Sequence, residues 1–93
     1  MILHIVNKSP YSNPALSHCL NAAADNDAIL LIEDAVLGIS TLDMVPASIQ
    51  IYALAPHMEA RGIQCPDNVA AQVIDYNSFV DLVAQATKSI SWF

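Results

Sequence analysis

The sequence predicts a three-layer α/β/α sandwich around a mostly parallel sheet of four to five strands, folded as one domain over residues 1–93. Three observations carry this. Ala28–Ile32 is an unbroken apolar run with Glu33 and Asp34 directly behind it. A run of that kind suits a strand covered on both faces, and such strands belong to parallel sheets flanked by helices. Short strand-like runs also alternate with amphipathic stretches along the chain, the mark of βαβ architecture with short connections. Finally, the composition is 55% hydrophobic and 13% charged, against roughly 25% charged in an average domain. A small domain has proportionally more surface than a large one. So little charge implies that another subunit covers part of it.

Taken in order, Ile2–Val6 reads as the first strand, with His4 inside it and Pro10 stopping the loop behind it. Asn13-Pro14 starts a helix that runs to about Ala24, with Leu16, Cys19, Leu20 and Ala23 on its buried stripe. Asp25-Asn26-Asp27 ends that helix, and Ala28–Ile32 is the central strand. Ala35–Leu42 is either a short helix containing Gly38 or a loop with one turn. Ile49–Leu54 is the third strand, Pro56 opens a short helix through Arg61, and Gly62 ends it. Ile63–Ala70 is a loop and Ala71–Ile74 a fourth strand. Asp75 or Asn77 caps a last helix to about Lys88, whose inward face carries Tyr76, Phe79, Val80, Val83 and Ala86. Ser89–Phe93 is a tail.

The charge balance narrows the partners. Nine acidic against three basic residues give a net charge of −6. Lys8, Arg61 and Lys88 are scattered singly and form no patch to displace counterions from phosphate. Direct binding to nucleic acid or to an anionic membrane is not expected. No run approaches the roughly 18 apolar residues of a membrane span, and the N-terminus lacks the basic start of a signal peptide. Two cysteines make no disulfide framework, so the expectation is a cytoplasmic protein with free thiols.

Few residues are candidates for chemistry. Cys19 is the first, because a thiol near a helix start or a cation becomes nucleophilic. It lies beyond the first helical turn and on the apolar stripe, however, where a buried core cysteine is the plainer reading. Cys65, beside Pro66, has no base or cation next to it. His4, His18 and His57 lack zinc-site spacing, and a chain with only Gly38 and Gly62 holds no phosphate loop. No cofactor or metal is implied. Glu33 and Asp34 fall at the carboxyl edge of the sheet, where ligands and partners of such sheets gather. Trp92 and Phe93 either anchor an interface or dock on their own subunit. Glu33, Asp34, Tyr76, Trp92 and Phe93 are thus the candidates for partner contact.

Several local patterns then converge. His4 with Ser9-Pro10, Leu30–Asp34, Tyr52-Ala53-Leu54 followed by Ala60-Arg61-Gly62, Ile74-Asp75-Tyr76 with Phe79-Val80, and the terminal Trp92 resemble the TusB/DsrH family. The likeness runs over essentially the whole chain in the same order. It departs from the family pattern at Ala35, where glycine is common, and in a shorter Leu37–Ser48 connection. The resemblance implies a DsrE/DsrF/DsrH-like fold and assembly with TusC/DsrF-like and TusD/DsrE-like subunits into a dimer of heterotrimers. It also implies relay of persulfide sulfur to a TusE/DsrC-like acceptor, for 2-thiolation of the tRNA wobble uridine or, in the Dsr counterpart, for sulfur oxidation. The main sulfur-carrying cysteine would then sit on the TusD/DsrE-type subunit. Cys19 resembles a first-helix cysteine that some members carry and others lack, a possible persulfide site of its own.

Overall fold

The computed structural model describes residues 1–93. The strands are β1 (Ile2–Val6), β2 (Ala28–Leu31), β3 (Gln50–Leu54), β4 (Ala71–Ile74) and β5 (Lys88–Trp92), and the helices are α1 (Ala15–Ala22), α2 (Ala55–Ala60) and α3 (Tyr76–Gln85). All strands are parallel, in the order β4-β3-β2-β1-β5. No helix is long and apolar enough to cross a membrane.

Successive side chains along a strand alternate between the two faces of the sheet, and here each face has its own core. Val6, Ile29, Leu31, Ile51 and Ala53 point toward the layer of α1, α2 and the 33–41 segment. Leu3, Ile5, Ala28 and Leu30 point the other way, toward α3 and its buried Leu82. Ala28–Leu31 is buried residue by residue. The strand read from an unbroken apolar run is indeed covered on both sides.

The ambiguous connection resolves as 3-10 turns over Glu33–Thr41, held by Val36 and Ile39 in the core. Gly38 is there because the chain passes too close for a side chain. A Cβ at this position would sit 2.5 Å from Pro10 Cγ and 3.2 Å from Leu16 Cδ2. Gly38→Ala is expected to cost about 1–3 kcal/mol by overpacking, read as a lowered urea midpoint at unchanged m-value. Gly62, by contrast, has open space around it but φ of +63°, the left-handed turn that ends α2.

Two expectations need correction. The residues after α3 are not a tail: β5 pairs in parallel with β1 over Ile2–Val6. Ser89-Ile90-Ser91-Trp92 alternates polar and apolar residues, and β1 would otherwise leave its outer edge unpaired. The backbone therefore leaves the helix at Ala86, two residues earlier than the helical periodicity suggested. The inward face of α3 is also different. Phe79, Leu82 and Ala86 meet the sheet, whereas Tyr76, Val80 and Val83 are exposed. Apolar residues cover two stripes of this helix, and periodicity alone does not say which one faces home.

Candidate functional site

Because every strand is parallel, the residues that follow β1, β2, β3 and β4 all arrive at one edge of the sheet. Asn7, Glu33, Asp34, His57, Arg61 and Tyr76 meet there. Glu33 has φ of +49°, a left-handed conformation that costs a non-glycine residue about 1 kcal/mol or more. Its amide donates to His57 Nδ1 at 2.7 Å, and Asn7 Nδ2 reaches its carboxylate at 3.4 Å. Since His57 Nδ1 accepts that bond, the ring proton sits on Nε2, which faces Tyr76 Oη at 3.2 Å. Donation from His57 leaves the Tyr76 hydroxyl proton free to point outward. Arg61 donates through Nε to Asp34 at 3.0 Å and through Nη1 to the His57 carbonyl at 3.1 Å. The Asp34–Arg61 pair is largely exposed and contributes at most about 1 kcal/mol.

Asp75, at the head of α3, accepts from the Ser78 amide at 2.8 Å. That bond, with the Ser78 hydroxyl, holds its carboxyl below the usual range. The edge thus presents oriented donors, acceptors and one aromatic hydroxyl. No group of three or more His, Cys, Asp and Glu side chains gathers where it could hold a metal ion. No thiol lies within the cluster. The arrangement suits recognition of another molecule better than covalent chemistry.

A second polar group is buried at the other end of β1. His4 Nε2 donates to Asp27 Oδ2 at 2.9 Å, and Trp92 Nε1–H donates to His4 Nδ1 at 3.1 Å. An indole N–H can only donate, so Nδ1 is bare and His4 is the neutral Nε2–H tautomer. Asp27 also accepts from the Ile2 amide at 3.2 Å and the Ala24 amide at 3.1 Å. The His4 bond first, then those two amides, hold its carboxyl below the ordinary value. This group joins the starts of β1 and β2 to the end of β5.

Cys19 lies on the buried stripe of α1 with no exposed surface. Burial, and secondarily the negative Asp27, push its thiol up to about 12. Cys65 is partly exposed, its Sγ 3.6 Å from the carbonyls of Pro66 and Val69. Glu33, Asp34 and Tyr76 come together at the carboxyl edge, while Trp92 packs against the core of its own subunit and Phe93 is 70% exposed. Sequence reading missed Asp27, which looked like a helix terminator, and His57. The signal for His57 was topological: in a parallel sheet, the first turn after β3 lies beside the residues following β2.

Comparison with known proteins bears on this architecture. The family model described as "DsrH like protein" matches residues 8–89. The TusB protein of Pectobacterium parmentieri is 33% identical, over 98% of this chain and all of that one. That of Photorhabdus laumondii is 36% identical over the same shares. Among solved structures, Tm0979 of Thermotoga maritima superposes with a TM-score of 0.69 at 25% identity, covering 90% of this chain and 92% of that one. The ychN protein of E. coli superposes with a TM-score of 0.80 at 16% identity, covering 97% of each chain, and speaks to the fold alone. With its fold shared by these structures and its sequence matched almost end to end, the chain belongs to the TusB/DsrH family.

Proposed function

We propose that this chain is a TusB-type subunit of a cytoplasmic sulfur-relay complex. The complex passes persulfide sulfur toward 2-thiolation of the tRNA wobble uridine, through a TusE/DsrC-like acceptor. Its companions are TusC/DsrF-like and TusD/DsrE-like subunits in a heterohexamer. The observation that carries the reading is the match to TusB proteins along the full length of the chain. The scarcity of surface charge and the exposed apolar residues of α3 support life inside an assembly.

Within that complex the chain's work is mainly structural. A relay step moves the terminal sulfur of a persulfide onto an acceptor thiolate and releases the donor as a thiolate, so the receiving group must ionise. A thiol at about 12 is ionised in about one molecule in 100,000 at pH 7. Cys19, closed inside α1, is therefore a core residue, and the sulfur-carrying cysteine belongs to a partner.

Three measurements on the assembled complex test this. Native mass spectrometry is expected to find the chain with two other small subunits in equal numbers. Cys19→Ala is expected to leave sulfur transfer unchanged, and in the wild-type chain Cys19 is expected to be alkylated only after unfolding while Cys65 reacts in the native state. Labelling of native Cys19, or loss of transfer in the variant, would reject the structural role.

A further inference from the structure

The outward stripe of α3 is an interface with specific chemistry. Tyr76, Val80, Val83 and Ala84 stand at i, i+4, i+7 and i+8 on one side of the helix and form an entirely apolar shallow groove with Phe79. Val80 is 67% exposed and Tyr76 54%. These residues are not surplus core, because Leu82, Phe79 and Ala86 already cover the sheet. A ten-residue helix with apolar residues on both sides has its second side built for something else. At its N-terminal end the stripe finishes on Tyr76, whose hydroxyl is held by His57. An aromatic side chain fixed in advance loses little freedom when it is buried by a partner, which is what an interface anchor needs.

The charges around the stripe say what covers it. Asp75 precedes the helix and Asp81 lies within it, both exposed, and α3 contains no Lys or Arg. Arg61 follows α2 in the opposite layer and is tied to Asp34. Lys88 stands opposite Ile2 in the register that sets Trp92 opposite Val6 and Ile90 opposite His4, so its side chain leaves from the face that α1 covers. Lys8 lies in the loop behind β1. A second copy docked on the same stripe would set two chains of net charge −6 against each other, with acidic residues beside the stripe and no Lys or Arg in either helix to offset them.

From this we infer that the outer stripe of α3 docks a different protein chain, one that presents an apolar patch edged with Lys or Arg. The inference rests on the reading of the chain as a subunit of an assembly, and it names the face and the chemistry of the contact. Tyr76 and Val80 fill the apolar patch, and Asp75 and Asp81 pair with its basic rim.

The test uses the full chain, tagged and expressed in its own cells, with a photo-crosslinking phenylalanine analogue at position 80. The crosslinked peptide is expected to come from a chain of different sequence, at an apolar segment flanked by Lys or Arg. Val80→Asp is expected to weaken that association at least about tenfold. Its melting curve should overlay that of the wild type, since the position is exposed. Asp81→Lys is expected to weaken the same contact and to flatten its dependence on salt. A crosslink to a second copy of this chain would overturn the choice of occupant. A companion chain that stays bound to Val80→Asp, with no crosslink from position 80, would overturn the docking face while leaving the subunit reading intact. Isolation of the chain with no companion at all would overturn both.

Discussion

Asp27→Ala is expected to lower the stability of the chain by about 2–4 kcal/mol, a large part of the roughly 5–15 kcal/mol that holds a domain folded. Asp27 is 6% exposed and accepts from the Ile2 amide, the Ala24 amide and His4 Nε2. Truncation leaves the buried His4 Nε2–H without a partner and takes the acceptor from two part-buried amides, Ile2 and Ala24. Each orphaned donor costs about 1–3 kcal/mol. Asp27→Asn keeps the shape but not the chemistry. Its amide nitrogen would face the His4 or Ala24 donor, so it too is expected to destabilise, by somewhat less. Urea unfolding of both variants checks the order, and a loss below about 1 kcal/mol for the alanine variant would show that the site rearranges to satisfy itself.

The same carboxylate makes stability depend on acid. Its folded value lies below the ordinary 3.8, chiefly because of the His4 bond. In the window between the folded value and 3.8 the unfolded chain binds the proton more readily, so stability rises with pH there. The contribution is complete above the unfolded value and is lost as pH falls through the folded one. The difference in unfolding free energy between wild type and Asp27→Asn is therefore expected to be constant near neutrality and to shrink below about pH 4. A gap that does not narrow in acid would mean that the carboxylate is not the group responsible.

How much of this was legible follows from where the information resides. The central strand was readable because Ala28–Leu31 is apolar at every position, a pattern set by burial on two faces and independent of what lies far away in sequence. The caps were local too: Asp75 does accept from the Ser78 amide. What failed depended on distant parts of the chain. Nothing near Lys88 says that β1 has a free edge waiting for a parallel partner, 86 residues away in the case of Ile2 and Lys88. Asp27 looks like a turn residue until His4 is brought beside it, itself held from its other side by Trp92. Glu33 and Asp34 could be placed at the carboxyl edge from the strand before them, but the His57–Tyr76 pair that completes the edge is made by β3 and β4 arriving there as well.

The end of the chain carries the second large effect. Ending the protein at Ser91 is expected to cost about 2–4 kcal/mol, whereas removal of Phe93 alone should stay within about 0.5 kcal/mol. The two aromatics differ in position, not in chemistry. Phe93 is 70% exposed beyond the last paired residue. Trp92 pairs with Val6, packs against the core of the α1 face and donates to His4 Nδ1. A fully buried tryptophan is worth about 3–5 kcal/mol against alanine, and this one keeps part of its surface in water. Its loss also leaves His4 Nδ1 without a donor and removes the β5 residue paired with Val6. For a chain of this length the expected loss corresponds to a fall in Tm on the order of 10–20 °C. Trp92→Phe separates the two contributions, since it keeps much of the packing and removes only the N–H. It is expected to cost about 1–2 kcal/mol. If Trp92→Phe were as damaging as the truncation, the hydrogen bond to His4 would be what holds β5 in the sheet. If the truncation were silent, β5 would owe its place to the β1 backbone alone.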